Sequence, residues 1–503
     1  MSQVRLPASH DPVKTLKFIS ILDKPCEIFS RICMISFLVT SISLVLYTAF
    51  SPLTPSLRFP APKRRAPEPE TKLNLESGPT NISHILFGIG GSAETWKDRC
   101  HYNSLWWDAN KTRGFVWLDE IPGDNYNDSD ISVIPYRISS PGWTQFRFSS
   151  SRSAVRIARI ISDSFKLNVP DVRWFVMGDD DTVYFTENLV SVLAKHDHNE
   201  MWYIGGNSES VEQDEMHSYD MAFGGGGFAI SYALAEKLVN ILDGCLDRYF
   251  YFYGSDQRIW ACISEIGVPL TREQGFHQFD IKGNAYGLLA AHPLAPLVSL
   301  HHLDYVDSLF PYKTQADSLW TLGLAYRLDP PRILQQSFCY DYKRKWSISV
   351  AWGYSVQLYP FLLPANNLQT PLQTFKTWRT ESDGPFTFNT QPLKSNPCEH
   401  PVLFMLNQAK KVGETGSLTS YERLEPRPEK MCNRTDYEEA RSLQRVIVSA
   451  LKLDPEYWTK DQARRRQCCE LGESLRESTM HIRIRKCRPW ETITTERVEC
   501  SAA

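Results

Sequence analysis

Four short stretches of this chain carry side chains able to do chemistry. The first, "FVMGDDDTVY" at 175–184, sets three aspartates at the end of an apolar run. All three are ionised near neutrality, and adjacent like charges repel one another. In extended backbone, residues i and i+2 share a face, so Asp179 and Asp181 converge while Asp180 points elsewhere. Two converging carboxylates at a strand terminus form a site for a hard divalent cation, with coordination positions left over for a diphosphate. A solvated turn with a helix cap is the plainer reading of the same residues. The second stretch, "MAFGGGGFAIS" at 221–231, sets four glycines between apolar flanks. There a backbone can pass close to something flat or bulky, or simply turn tightly. The third, "FYGSDQRIWACISEIGV" at 252–268, places Asp256 at the start of a helical run, where it could also serve as an N-cap. The fourth, "PLVSLHHLDYV" at 296–306, ends an apolar stretch on His301 and His302.

Regular elements must position these residues. "HILFGIGGS" at 84–92 reads as a buried strand entering a turn, "ETWKDRCHYNSLWW" at 94–107 as a helical stretch, and "GFVWLDE" at 114–120 as a second strand carrying Asp119. "SAVRIARIISDSF" at 153–165 spaces its apolar residues as an amphipathic helix, and "VRWFVM" at 172–177 is the next strand. Strand, helix, strand, helix, strand predicts a mostly parallel sheet covered by helices, with ligands beyond the carboxyl ends of the strands. The aspartates sit at one of those ends. Trp106, Trp107 and Trp202 could stack on sugars, but their spacing suits core positions.

The rest of the chain bounds the setting. With 503 residues, 42% apolar and 22% charged, it can build two or three cored domains. The net charge of −3 provides no basic field for nucleic acid, and the basic runs at 464–466 and 483–486 read as solvated faces. Residues 32–50 hold no charge over 19 positions, about 28 Å as a helix, which predicts a single membrane-spanning signal anchor. Residues 1–31 form a short tail before it, and the Pro-rich stretch 51–82 an extended stem after it. Basic residues flank the anchor equally, so orientation rests on other features. The sequons at Asn81, Asn110, Asn127 and Asn433 all follow the anchor, as do ten of the twelve cysteines. A body facing an oxidising lumen is expected.

The ordered set "WFVMGDDDTVYF", "YIGG", "FGGGGFAIS", "GSDQRIWACISEIGV" and "SLHHL" resembles the Fringe-type β-1,3-glycosyltransferases, in particular the plant Fringe-related group, long labelled a domain of unknown function. The resemblance covers roughly residues 84–325, within a predicted domain 83–325. It implies a GT-A fold, a UDP-sugar donor, a glycan, glycoprotein or small glycoside acceptor, inversion at the anomeric carbon, Mn2+ and a Golgi type II membrane protein. By position, Asp181 resembles the metal-ligating aspartate and His301 its second ligand, with His302 as the alternative and Asp179 close by. Asp179, Asp180, Asp119, Gly225 and Gly226 fall where the donor is bound, and Asp256 where the family places its base. Relatives often show two adjacent acidic residues there; this chain reads Ser255-Asp256-Gln257. Cys245 and Cys262 flank Asp256, and a bridge between them would brace the proposed base. Residues 326–503 lie outside the resemblance and are expected to form a small β-rich, disulfide-stapled appendage. A catalytically inactive lumenal sugar-binding or scaffold protein of the same fold is the alternative reading, and a metal-dependent hydrolase a further one.

Overall fold

The computed structural model describes residues 23–50, 78–123, 134–147, 151–425, 432–459, 464–472 and 478–496. The chain divides into two compact units, Met1–Gly78 and Pro79–Ala503. In the first, the described element is a 28-residue helix, Asp23–Phe50. Its side chains are described at 32–44, 46 and 47, and all are exposed. Among the described residues no helix is long and apolar enough to cross a membrane. Most of the expected stem, 51–77, lies outside the described residues.

The second unit begins with the expected alternation. Its first strands are β1 (Ile85–Gly90), β2 (Gly114–Leu118), β3 (Tyr136–Ile138), β4 (Trp174–Asp179), β5 (Val183–Tyr184), β6 (Tyr203–Gly205), β7 (Phe228–Ser231), β8 (Leu270–Arg272), β9 (Phe276–His277), β10 (Ile281–Gly283) and β11 (Ser299–Leu300). Seven of them form one sheet in the order β3-β2-β1-β4-β7-β6-β8. β3, β2, β1 and β4 run parallel, β6 pairs parallel with β8, and β7 runs antiparallel to both its neighbours. The sheet is thus mostly parallel with one reversed strand. Buried runs such as Ile85–Gly90 are what a sheet covered on both faces requires. The single helix expected over 153–165 is two, Arg152–Ala158 and Ile160–Phe165, broken where Arg159 reaches out to Asp243. Helices Tyr232–Arg248 and Ser255–Ile266 are joined by the Cys245–Cys262 disulfide, with Cα atoms 5.8 Å apart. The second helix ends on Gly267, whose φ of 87° suits the left-handed C-cap that glycine adopts freely.

The expectation of a small appendage after residue 325 is corrected. Eight of the eleven described strands from Gln336–Asp341 to Thr479–Arg485 form one largely antiparallel sheet. It does not stand apart, because one hydrophobic cluster runs from Ile85 and Phe87 through Leu322 to Ile348, Val448 and Ile484. Disulfides Cys339–Cys469, Cys398–Cys432 and Cys468–Cys487 staple this half. Its strand Phe375–Thr377 pairs with β10, carrying the C-terminal half to the edge of the site described next.

Candidate active site

β4 ends at Asp179, so the three aspartates do not continue an extended strand. The chain turns instead, the Thr182 amide donating to the Asp179 carbonyl at 3.0 Å and the Asp179 amide to Thr182 Oγ1 at 2.9 Å. The turn, not strand alternation, gathers the carboxylates. Asp181 is fully buried, with one oxygen 3.0 Å from His301 Nε2; the same nitrogen lies 3.8 Å from Asp179, whose side chain is 37% exposed. Asp180 points the other way, to Arg99 Nη1 at 3.0 Å and Thr95 Oγ1 at 3.2 Å on helix Ala93–Ser104. It is 2% exposed, and these contacts anchor the helix that carries Arg99.

The glycine run explains how these parts meet. The Thr182 hydroxyl donates to the Gly225 carbonyl at 2.7 Å, tying the aspartate turn to the glycine loop. A side chain on Gly225 would place its Cβ 2.0 Å from His301 Cε1, so only glycine lets the imidazole lie against this backbone. Gly226 packs against Gln278, whose Oε1 accepts its amide at 2.5 Å. Gly227, at φ 85°, leaves room for the Tyr184 hydroxyl. Gly225 and Gly226, expected at the donor, therefore cradle His301 and Gln278. The Gly224 amide, next in line, donates to Asp256 Oδ2 at 3.1 Å. Asp256 occupies the first turn of helix Ser255–Ile266, and its Oδ1 accepts the Gln257 amide at 2.9 Å. One loop of four glycines thus joins the candidate base to the candidate metal ligand.

His301 rather than His302 faces the carboxylates. His302 Nδ1 sits 3.1 Å from Asp280, and its ring stacks on Trp378 at 4.3 Å between centroids. Burial alone would lower the His301 pKa, but Asp181 and Asp179 outweigh it and raise it to about 9. Burial likewise acts to raise Asp181, yet the charges of the close His301 imidazole, and then of Arg99, hold it well below the usual carboxylate range. Asp179 moves upward: although part of its side chain reaches solvent, the protein packed around it disfavours its charge. His301 acts the other way, and the Asp181, Asp180 and Asp256 carboxylates add to the rise.

These residues suit a divalent cation. Both Asp181 oxygens are buried without a well-aligned hydrogen bond, although His301 and Arg99 lie close. The two cationic side chains offset part of the cost of burying this carboxylate, and its oxygens keep lone pairs that a divalent cation could take up. A carboxylate with an imidazole is a softer pair than magnesium prefers and accords with manganese. Asp179 is the more distant member. Among the described residues, the one trio of metal-type side chains within 4.8 Å is Cys468, Cys487 and Glu491, where the two cysteines are already disulfide-bonded.

The other expected residues are accounted for. Exposed Asp119 accepts the Ala93 amide at 2.9 Å, capping the helix that carries Arg99. Trp106 is core, its Nε1 donating to the Thr182 carbonyl at 3.1 Å; Trp107 and Trp202 are half-buried against the same core. Asn81, Asn110 and Asn433 are exposed, and Asn127 lies outside the described residues. Sequence reasoning missed Arg99, Gln278, Asp280 and Trp378. An arginine in mid-helix reads as solvated, and nothing in the sequence places Trp378 beside His302.

Comparison with known proteins gives the class first. A model described as Fringe-like matches residues 82–283, the part that holds the aspartate turn, the glycine loop and Asp256. The chain belongs to the family described as "Protein of unknown function, DUF604", whose model matches residues 213–469, just over half of it. Together these make it a member of the Fringe-type glycosyltransferase group whose function is unassigned. Among solved structures it is similar to mouse xyloside xylosyltransferase 1 in its apo form, at 11% identity and a TM-score of 0.25 over 36% of this chain and 80% of that one. It is also similar to the catalytic domain of Drosophila beta1,4galactosyltransferase 7 complexed with xylobiose, at 13% identity and a TM-score of 0.22 over 38% and 64%. Superpositions this partial carry no argument about mechanism.

Proposed function

We propose that this protein is a manganese-dependent, inverting glycosyltransferase that moves a sugar from a UDP-sugar to an acceptor hydroxyl on a glycan, glycoprotein or small glycoside. A β-1,3 linkage is the reading the Fringe-like match favours. The setting we propose is the Golgi lumen, with the chain held by one N-terminal span over 32–50.

The observation that carries this reading is the juxtaposition of Asp181 with His301 at 3.0 Å and, across the Gly224–Gly226 loop, of Asp256. Asp181 and His301 would hold the metal, with Asp179 beside them. Bound there, manganese would offset the charge that develops on the departing diphosphate. Asp256 accepts the proton of the acceptor hydroxyl as its oxygen bonds to the anomeric carbon and the bond from that carbon to UDP breaks. The Gly224 amide and the helix N-terminus hold the Asp256 carboxylate in place for that transfer.

The test is UDP release by the purified protein over a panel of UDP-sugars and acceptors, with manganese and with excess chelator. Release with one donor, lost in chelator and in Asp181→Asn, is expected. Activity that persists undiminished in chelator would remove the metal. UDP binding without turnover for any donor would favour the sugar-binding alternative.

A further inference from the structure

A large cavity lies away from these residues, at the seam between the Fringe-like half and the C-terminal sheet. Its volume is about 930 Å3, enough for a ligand of sugar size or larger, and it shares no residue with the aspartate turn, the glycine loop or Asp256. Its charged wall is unevenly neutralised. Lys195 pairs with Glu273 at 2.6 Å, and Arg272 with Asp220 at 3.0 Å. Glu209 spends one oxygen on His277 Nδ1 at 2.9 Å and the other on the Phe279 amide at 2.8 Å. Arg464 and Arg466 are left with no carboxylate among the described residues. Arg464 makes one long bond, 3.3 Å, to the Trp458 carbonyl, and its guanidinium lies over the Trp458 ring at 5.3 Å. Arg466 lies over Phe338 at 5.2 Å, and its Nη1 is buried with no hydrogen-bond partner among the described residues.

Aromatic faces hold both guanidiniums in fixed orientation, and a fixed, desolvated guanidinium fork is suited to an oxyanion. At Arg466, a buried donor without a partner among the described residues costs stability, and an oxyanion in the cavity would satisfy it. The remaining wall, with Leu288, Pro293 and Phe388 beside Asn207 and Asn389, offers both apolar and hydrogen-bonding surface.

We propose that this cavity is a second binding site, for a sugar bearing a carboxylate, sulfate or phosphate, with Arg464 and Arg466 taking the oxyanion. The choice of a sugar rests on the glycosyltransferase reading, whereas the choice of an anion rests on the two arginines alone. The site belongs to the junction of the two halves, since Arg464 and Arg466 come from one and Glu209, His277 and Lys195 from the other.

Calorimetric titration of the full-length protein with glucuronic acid, glucose 6-sulfate, glucose 6-phosphate, glucose and inorganic sulfate tests it without any need for turnover. At least one of the acidic sugars should bind, and glucose should not. Arg464→Gln and Arg466→Gln should each weaken that binding by about tenfold or more, while Asp181→Asn should leave it unchanged. The three acidic sugars distinguish carboxylate from sulfate and phosphate. Arg464 is partly exposed, so its variant keeps the test open should Arg466→Gln fail to fold. Binding no tighter than glucose, or binding unaltered in a folded arginine variant, would overturn the site. Inorganic sulfate bound as tightly as the sugars would overturn its assignment to a sugar. Loss of transferase activity over all donors would leave this result untouched, so the two readings fail separately.

Discussion

At the scale of single residues, the site turns on two positions whose replacement separates chemistry from scaffolding. Asp256→Asn removes the capacity to accept a proton, and loss of a general base typically lowers rate on the order of 100- to 10,000-fold. Both Asp256 oxygens accept backbone amides, from Gly224 and Gln257, whereas an asparagine can accept at only one. The variant should therefore also be slightly less stable, while UDP binding stays intact. Transfer at the wild-type rate would place the base elsewhere. Gly225→Ala tests the cradle: its Cβ would fall 2.0 Å from the His301 ring, so the imidazole must move. A displacement of an ångström or so in such a group costs on the order of 100-fold in rate. Gly123→Ala, with nothing within 4 Å among the described residues, is the matched control and should be neutral. Equal activity of the two alanine variants would mean that His301 need not lie where it does. Much at this scale was legible in the sequence: Asp181, Asp256, His301 and the glycine run meet as their motifs suggested. The aspartates converge for a different reason, since alternation along a strand fails once the strand ends at Asp179. Arg99 was invisible because its role depends on a helix docking 80 residues upstream of the carboxylates it meets.

At the scale of elements, the helix pair Tyr232–Arg248 and Ser255–Ile266 fixes where Asp256 stands. Leu238, Leu242 and Leu246 on the first and Ile259 and Ile263 on the second bury themselves in one cluster, and the Cys245–Cys262 bridge closes the loop between them. A loop of this length is stabilised by about 3 kcal/mol on the chain-entropy account. Replacing both cysteines with alanine should lower stability by about that amount, read from denaturant unfolding, and peptide mapping without reductant should recover the linked pair from the wild type. Recovery of two free thiols would remove the brace. β1, β2 and β4 could be read from their apolar runs and the glycines that end them, because a sheet covered on both faces leaves that imprint. The reversal of β7 could not, since a buried run looks the same in either direction. The break at Arg159 was equally hidden, as the apolar spacing continues straight through it.

At the scale of the whole molecule, two consequences follow from how the parts are joined. Asn81, Asn110 and Asn433 are exposed, so in a lumenal protein a glycosidase that strips N-linked glycans should shift its mass. An unshifted mass, with the body cut by protease outside intact vesicles, would reverse the proposed orientation. The other consequence concerns residues 326–503, which local sequence reading set apart because no motif continues into them. Their contacts are long-range and could not be seen in the chain. Buried Asp329 accepts the Leu453 amide and the Arg332 guanidinium, Trp458 Nε1 donates to the Pro331 carbonyl at 2.8 Å, and Tyr354 Oη donates to the Leu309 carbonyl at 3.0 Å. Gln335 reaches back to the Ala295 carbonyl at 2.8 Å, just ahead of the strand that delivers His301. Cutting the chain after residue 325 would expose Leu300, Leu319 and Leu322, all buried in the shared cluster, and leave the Leu309 and Ala295 carbonyls without the donors Tyr354 and Gln335. Such a fragment should aggregate or unfold without a cooperative transition, and it should bind neither metal nor UDP. A soluble 1–325 fragment that unfolds cooperatively and binds UDP with manganese would show that the Fringe-like half stands alone. The eight-stranded sheet would then have been added for the acceptor rather than for the fold.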